Sequence, residues 1–394
     1  MKRRSLVAVL AAGSLVLAAC GDDDDAADEP SEDTTADTEA EEEPAEETTE
    51  TTMAEEDMDD MEEEPTETTM AEDDMDESTE TTMAEGDDME TPEGWPESIV
   101  LTLTPSQEAG GLVETAEPLA VALEEALGID VEAIVPSDYA GVIVALQSGQ
   151  AQIAGGLGPA QMVQAADTAG ADLILQAVRF GDSQYVTQWF TNDPDTYCAT
   201  DVVQITDEED GTIMSFCNGV DEAEGPSDGP IGSDQLPNVA GQTISFVDQG
   251  STSGYLIPSL ALIEAGVDPL DDITSLFAGG HDSSVQAVYD GDAAVGVSFN
   301  DARGQLVETV PDVGEKVVVF GWSAPIPNDG FAVAGDLPDD LKTAITDALV
   351  AYSSSEDGAV VMDELYEIDG LVPVPEGSYD IIRDLETELS DLLG

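Results

Sequence analysis

The residues best suited to bind a ligand form a run of hydroxyl side chains between two glycines. Residues 248–255 read Asp-Gln-Gly-Ser-Thr-Ser-Gly-Tyr, and Ser251, Thr252 and Ser253 connect a predicted strand to a predicted helix. The free N–H groups and the positive dipole end of a helix N-terminus attract anions, and neighbouring hydroxyls add further donors. The run therefore predicts an oxyanion-binding turn, with a simple N-cap as the alternative.

A second turn of this kind holds the only histidine of the chain. His281 stands in the segment Ala-Gly-Gly-His-Asp-Ser-Ser, again between a predicted strand and a predicted helix. An imidazole N–H can donate a hydrogen bond to an oxyanion. We expect His281 to face the same ligand as the hydroxyl run, with a purely structural histidine as the alternative.

These turns need a scaffold that brings the ends of several strands together. From residue 98 onward, short apolar segments that are typical of strands alternate with segments of helical spacing. The predicted strands are 99–103, 131–135, 153–156, 173–178, 243–247, 275–277, 294–298 and 316–320, and the predicted helices are 113–127, 139–148, 160–169, 255–265, 283–289 and 302–310. Such alternation predicts parallel sheets covered by helices, and the stretch is longer than one core usually serves. We therefore expect two α/β lobes.

Ligands of open parallel sheets bind beyond the carboxyl ends of the strands. Besides the two turns above, the segments 104–106, 137–139 and 156–159 follow predicted strands and carry serine, threonine, tyrosine or glycine. The sequence thus predicts one ligand site that several of these turns share.

The first twenty residues form an export signal. Three basic residues precede an apolar segment too short to span a membrane, and residues 1–19 therefore read as a cleaved signal peptide. The sequence Leu-Ala-Ala-Cys-Gly at its end resembles a bacterial lipobox, which implies cleavage before Cys20 and a diacylglyceryl group on its thiol. The alternative is a plain signal peptide with an incidental cysteine.

Residues 20–97 are predicted to form a disordered acidic tether. They consist mainly of Asp, Glu, Thr, Ala, Met and Pro, with three copies of Glu-Thr-Thr-Met-Ala-Glu, and contain no basic residue. Such a segment has too few large apolar side chains to offset the entropy of ordering. We expect it to hold the folded part at a distance from the membrane.

The charge balance excludes one class of partner. The chain has 8 basic residues against 89 acidic ones, a formal charge of −81. Phosphate contacts of nucleic-acid binders need clustered Lys and Arg, so no nucleic-acid partner is expected. Beyond residue 97 the basic residues are Arg179, Arg303, Lys316, Lys342 and Arg383. With so few cations, we expect uncharged donors to bind the anion.

Two further cysteines fit an exported protein. Cys198 and Cys217 flank a stretch rich in Gly and Asp, and outside the cytoplasm such a pair normally forms a disulfide. A metal site would need more ligands than this segment offers, so neither a metal nor another cofactor is expected.

Taken together, several motifs resemble the phosphonate/phosphite/phosphate substrate-binding proteins of ABC transporters. The resemblance covers most of residues 98–384. Its carriers are Asp138-Tyr139, Ala145-Leu-Gln-Ser-Gly149, Gly158-Pro159, Ser251-Thr-Ser-Gly-Tyr255 with Pro258, Gly279-Gly-His-Asp282 and Ile326-Pro-Asn-Asp329. It implies a type II periplasmic-binding-protein fold with two lobes and two crossing hinge strands, with residues 98–190 and 322–394 in lobe 1 and residues 191–321 in lobe 2.

The resemblance also implies roles for individual residues. The phosphorus oxyanion would be held by the hydroxyl run, by His281 and by two tyrosines, Tyr139 and Tyr185. In relatives that take aminoalkylphosphonates, two carboxylates contact the ammonium group. Asp329 matches one of these carboxylates through the motif Ile-Pro-Asn-Asp. Asp301 matches through its spacing from His281 alone, with helix capping as the alternative.

The implied function is capture of a phosphonate, phosphite or phosphate for delivery to the permease of an ABC importer by a monomeric lipoprotein. A lipid-anchored oxyanion sensor is one alternative. A serine hydrolase is another, but the run lacks the Gly-x-Ser-x-Gly pattern of a nucleophile elbow because Thr252 stands at its centre. We therefore expect no enzyme.

Overall fold

The structure is a computed structural model that describes residues 92–107, 109–207, 211–220 and 229–393. The signal peptide, Cys20 and nearly all of the expected tether lie outside the described residues. Within the described part, no helix has the length and apolar character that a membrane crossing requires.

Strands and helices alternate along the first half of the fold, as expected. The strands are β1 (Ser98–Leu103), β2 (Asp130–Ile134), β3 (Ile153–Leu157), β4 (Asp172–Val178), β5 (Gln184–Tyr185), β6 (Thr187–Thr191), β7 (Val203–Thr206), β8 (Ile213–Phe216), β9 (Thr243–Phe246), β10 (Thr274–Phe277), β11 (Val295–Phe299), β12 (Val318–Trp322), β13 (Ile326–Pro327), β14 (Gly330–Val333) and β15 (Gly370–Pro373). The α-helices are α1 (Ala109–Leu127), α2 (Tyr139–Gln147), α3 (Pro159–Asp167), α4 (Pro194–Tyr197), α5 (Ile257–Glu264), α6 (His281–Asp290), α7 (Val313–Lys316), α8 (Asp339–Ser353), α9 (Glu356–Tyr366) and α10 (Asp380–Leu393).

The first lobe is built on a six-stranded sheet in the order β15-β4-β14-β3-β1-β2. Strands β1, β2 and β3 are parallel, whereas β14 runs antiparallel to β3 and β4. Leu101, Leu119, Ile345 and Met362 belong to one buried cluster that joins this sheet to α1, α8 and α9. Burial of such side chains, at about 1.5–3 kcal/mol each, fixes the helices on the sheet.

The second lobe is built on a seven-stranded sheet in the order β10-β9-β11-β6-β12-β8-β7. Strands β9, β10 and β11 are parallel, and β6 is antiparallel to β11 and β12. Phe246, Leu262 and Phe320 pack in a buried cluster on one side of this sheet.

The chain crosses between the sheets twice. After β4 it enters the second sheet through β5 and β6, and after β12 it returns through β13 to β14, with β5 and β13 paired antiparallel. This arrangement confirms the two-lobed α/β fold with two crossing segments. The lobe boundaries placed after residues 190 and 321 from the sequence fall inside β6 and β12, and both strands belong to the second sheet.

The structure corrects one predicted helix. Residues 302–310 were expected to be helical, but only Ala302–Leu306 form a helix, and it is a 3-10 turn. Residues 307–309 continue as turns, and Pro311 disfavours a helical conformation at Val310, where the segment ends.

The disulfide between Cys198 and Cys217 is present and confirms that pairing. It links the end of α4 to the residue after β8, and β8 forms a hairpin with β7. The closed loop has about 20 residues, for which chain-entropy arguments give a stabilisation of about 3 kcal/mol. The disulfide therefore ties this hairpin to the second lobe.

Candidate functional site

The cavity of interest lies between the two lobes, where the carboxyl ends of several strands meet. Its volume is about 30 Å³, and by the same measure one water needs about 10–15 Å³. The lining comes from both lobes and consists of Thr104, Ser106, Tyr139, Gly156, Gly158, Arg179, Tyr185, Ser251, Thr252, Ser253, His281, Phe299, Gln305, Asp329, Leu365 and Tyr366. The space suits a compact polar group.

Seven of the eight ligand residues selected from the sequence line this cavity: Tyr139, Tyr185, Ser251, Thr252, Ser253, His281 and Asp329. Six of them lie where α2 starts, after β9, where α6 starts and before β14, and Tyr185 lies in β5. Their role in binding stays a prediction, but the structure brings residues up to 190 positions apart into one space.

The hydroxyl run is buried and begins a helical segment. The Ser251 Oγ accepts a hydrogen bond from the Gly254 N–H at 3.1 Å, so this serine also acts as an N-cap. The Thr252 Oγ1 accepts from the Ala160 N–H of the other lobe at 2.8 Å. Both oxygens act as acceptors in these bonds, so neither bond uses the O–H group of Ser251 or Thr252.

Tyr139 and Tyr185 keep their phenolic protons. Burial is the largest cause that raises the pKa of Tyr139, and the charge of Asp329 adds to it, while a hydrogen bond with Ser251 lowers the pKa by less. Burial and Asp329 raise the pKa of Tyr185 in the same way, opposed by a hydrogen bond with Ser253 and by Arg179. Both side chains are therefore O–H donors at neutral pH.

His281 is a neutral donor. Burial, together with the charge of Arg179, lowers the pKa of His281 to about 3. Its Nδ1 lies 2.8 Å from the Ser298 Oγ, and its ring packs against Phe299. When Ser298 donates to Nδ1, the imidazole carries its proton on Nε2 and can donate it to a ligand.

Arg179 corrects the expectation that uncharged donors alone line the site. It follows β4 directly, is 4% exposed and lies in the cavity wall. Its Nη2 lies 2.7 Å from the Glu367 Oε2, and its Nη1 lies 3.7 Å from the Asp329 Oδ2. Sequence reasoning counted this arginine among the five basic residues of the fold but gave it no place, because its acidic partners lie far along the chain.

Asp329 is the acidic side chain of the lining. Burial raises the pKa of Asp329 to about 6, Arg179 opposes the rise, and Glu367 adds to it. Burial also raises the pKa of Glu367, against the opposing effect of Arg179. The carboxyl of Asp329 thus changes protonation close to neutral pH.

Asp301 does not line the cavity. Its carboxylate caps the turn Ala302–Leu306 by accepting from the Arg303 N–H at 3.2 Å. It also accepts from the Arg303 Nε at 2.9 Å and pairs with Nη2 of the same guanidinium at 2.5 Å. Because Arg303 is fully buried and needs a counter-charge, Asp301 is committed to that pair. The capping alternative weighed from the sequence describes its place.

The segments 104–106 and 156–159, selected from the sequence as ligand-side turns, also contribute to the lining, whereas Tyr366 gave no recognisable signal in the sequence. Tyr366 ends α9, and its hydroxyl donates to the Thr104 carbonyl oxygen at 3.0 Å. The Thr104 hydroxyl donates to the Gln161 Oε1 at 3.1 Å. These hydrogen bonds hold Thr104 and Tyr366 in the cavity wall through contacts that are distant in sequence.

The described residues contain no group of three or more His, Cys, Asp or Glu side chains that could hold a metal ion. The donors that line the cavity can form hydrogen bonds and charge pairs with a small anion.

A family model described as the periplasmic substrate-binding protein of phosphonate ABC transporters matches residues 101–379. The chain is 30% identical over 314 residues to the phosphate-import protein PhnD of Mycolicibacterium smegmatis, an alignment that covers 74% of this chain and 86% of that protein.

Two solved structures have the same fold. The binding-protein component of an ABC phosphonate transporter from Pseudomonas aeruginosa matches with a TM-score of 0.58 at 22% identity, over 73% of this chain and 85% of that one. PhnD1 from Prochlorococcus marinus, in complex with methylphosphonate, matches with a TM-score of 0.60 at 15% identity, over 75% of this chain and 99% of that one.

Proposed function

Because the chain belongs to the family of periplasmic phosphonate substrate-binding proteins of ABC transporters, we propose that it captures a small phosphorus oxyanion in the cavity between its lobes. Phosphate, phosphite and short phosphonates form this ligand class. The protein then delivers the ligand to the permease of an ABC importer.

The observation that carries the proposal is the convergence of donors on one small space. The buried hydroxyl run, the neutral imidazole of His281 and the guanidinium of Arg179 all line a cavity of about 30 Å³. A micromolar ligand needs about 8 kcal/mol of binding free energy. Each hydrogen bond to a charged group contributes about 1.5–3 kcal/mol, so four or five such donors suffice. The name of the Mycolicibacterium relative, a phosphate-import protein, supports the same ligand class.

The hydrolase alternative has no support from the geometry. A serine nucleophile needs a histidine that can take its proton. The Nδ1 of His281 pairs with Ser298 rather than with the hydroxyl run, and a pKa lowered to about 3 makes this imidazole a weak base. We therefore propose binding without turnover.

We further propose that the protein is held at the outer face of the membrane by a lipid on Cys20, as a monomer. The lipobox-like sequence before Cys20 supports this anchor. The acidic segment up to residue 97 would give the folded part a reach of about 50 Å or more, because a flexible chain extends roughly 5–6 Å times the square root of its length.

Uptake by cells tests capture, delivery and anchoring together. In cells that lack this gene, the rate of phosphate or methylphosphonate uptake at low micromolar ligand is expected to fall at least tenfold, and the wild-type gene restores it.

A Cys20→Ser variant is expected to be released into the medium and to restore uptake poorly, because it lacks the anchor. Mass spectrometry of the wild-type protein should find a diacylglyceryl group on Cys20. Uptake of both ligands that does not depend on the gene, with no binding to the purified protein, would refute the proposal.

A further inference from the structure

The guanidinium of Arg179 lies beside Asp329 in the cavity wall. Asp329 is the carboxylate that a cationic group of a ligand would otherwise pair with. We infer that Arg179 is a built-in counter-cation, which contacts the bound oxyanion and excludes ligands that carry an ammonium group. This inference rests on the proposed function and narrows its substrate class to phosphorus oxyanions without an amino group.

The position of Arg179 is fixed by its backbone. Arg179 and Asp182 exchange two backbone hydrogen bonds, at 2.9 and 3.0 Å, around a tight turn. Phe180 and Gly181 in the turn have positive φ values of 51° and 75°, as a two-residue hairpin turn requires. The Gly181 N–H also donates to the Asp369 Oδ2 at 2.8 Å. The guanidinium therefore projects from an anchored turn.

Glu367 holds the guanidinium at a cost in backbone energy. It follows the last residue of α9 with a φ of 54°, in the left-handed conformation that favours glycine at this position. A glycine there would relieve the backbone but would remove the carboxylate that pairs with the Arg179 Nη2. The presence of glutamate is explained by its contact with Arg179.

One face of the guanidinium is covered by an aromatic ring, and part of Arg179 lines the cavity. Its Cζ lies 4.5 Å from the centre of the Phe299 ring, a distance typical of a cation–π contact that keeps water away. Arg179 lines the cavity, and its Nη1 lies 3.7 Å from the Asp329 Oδ2, which is beyond hydrogen-bond distance. We therefore assign an N–H of Nη1 to an oxygen of the bound anion.

The carboxylate of the cavity lining, Asp329, already has a cationic neighbour in Arg179. Among the described lining residues Arg179 and Asp329 carry the formal charges, of opposite sign, and His281 is neutral. Asp301, the other carboxylate considered from the sequence, is paired with Arg303. An ammonium group would have to compete with Arg179 for Asp329 and would be repelled by the guanidinium at close range. An anion without an amino group meets no such competition.

Calorimetry with matched ligands tests this inference on the full protein. Ethylphosphonate and aminomethylphosphonate have the same size, but the first ends in a methyl group and the second in an ammonium group. Methylphosphonate lacks this end group and reports the oxyanion contact alone. Wild type is expected to bind ethylphosphonate at least tenfold more tightly than aminomethylphosphonate. Arg179→Gln is expected to weaken methylphosphonate binding at least tenfold. It should also shift the ratio of the ethylphosphonate affinity to the aminomethylphosphonate affinity at least tenfold toward the amino compound, because Asp329 becomes available.

Two further variants control for charge and folding. Arg383 also pairs with two aspartates, but it lies on the surface. Arg383→Gln should therefore leave the affinities for all three phosphonates unchanged. The double variant Arg179→Gln/Glu367→Gln removes both partners of the closest pair, so that Glu367 is not left without its counter-charge. We expect the same loss of methylphosphonate binding.

The outcomes separate the inference from the function on which it rests. A wild-type preference for aminomethylphosphonate, or unchanged methylphosphonate affinity in both Arg179 variants, would overturn the inference while oxyanion binding stands. If wild type binds neither phosphate nor any phosphonate, the proposed function fails and the inference fails with it. The ratio is measured within each variant, so reduced stability alone does not change it.

Discussion

Replacement of both Ser251 and Ser253 by alanine is expected to weaken phosphate or methylphosphonate binding by at least 100-fold. Both side chains are buried in the cavity wall. Each would donate one hydrogen bond to a charged oxygen, worth about 1.5–3 kcal/mol, and about 1.4 kcal/mol corresponds to a tenfold change in affinity. Loss of two such bonds therefore costs about 3 kcal/mol or more. Isothermal titration calorimetry measures this change.

A buried serine outside the cavity provides the control. Ser259 is fully buried in α5, six residues beyond Ser253, and its Oγ has no partner among the described residues. Ser259→Ala should leave affinity unchanged. The double variant loses the N-cap at Ser251, which costs about 1 kcal/mol of folding stability. Retained affinity in the double variant, or an equal loss in Ser259→Ala, would argue against direct contact of these hydroxyls with the ligand.

Substitution of Gly156 by alanine is expected to destabilise the fold and to close the cavity. A Cβ at this position would lie 2.3 Å from the Cζ of Tyr366, whose hydroxyl is tied to the Thr104 carbonyl. Gly156 also has a φ of 64°, which costs an L-residue about 1–2 kcal/mol, and overpacking adds about 1–3 kcal/mol. At roughly 2–4 °C per kcal/mol, the midpoint of thermal unfolding should fall by about 10 °C.

Gly170 separates the two causes. It has a φ of 67°, but a Cβ there would meet nothing within 4 Å. Gly170→Ala should therefore show only the backbone cost, about 1–2 kcal/mol, and normal ligand binding. Equal shifts in the unfolding midpoint for both variants would contradict a steric conflict with Tyr366.

The sequence predicted well those parts of the molecule that depend on local pattern. The turns that carry Tyr139, Ser251 and His281 were found because each one links a strand to a helix, and parallel strands place such turns at one edge of a sheet. The pairing of Cys198 with Cys217 followed from export and their proximity in sequence.

Features that depend on distant contacts could not be predicted. Arg179 acquires its role from Glu367, which is 188 positions further along the chain and approaches through the end of α9. Asp301 was selected by spacing, but a buried arginine two residues later takes its carboxylate. Both cases involve a buried guanidinium that needs a counter-charge. The counter-charge of Arg179 is distant in sequence, whereas that of Arg303 is two residues away and is committed only because the fold buries Arg303.

The most direct test of the central claim is a crystal structure of the protein grown with phosphate or methylphosphonate. We expect the phosphorus group between the lobes, with its oxygens within hydrogen-bond distance of the Ser251 and Ser253 hydroxyls, the His281 Nε2 and the Arg179 guanidinium. A ligand bound elsewhere, or one that lies between the lobes without contacting the hydroxyl run and Arg179, would contradict the account.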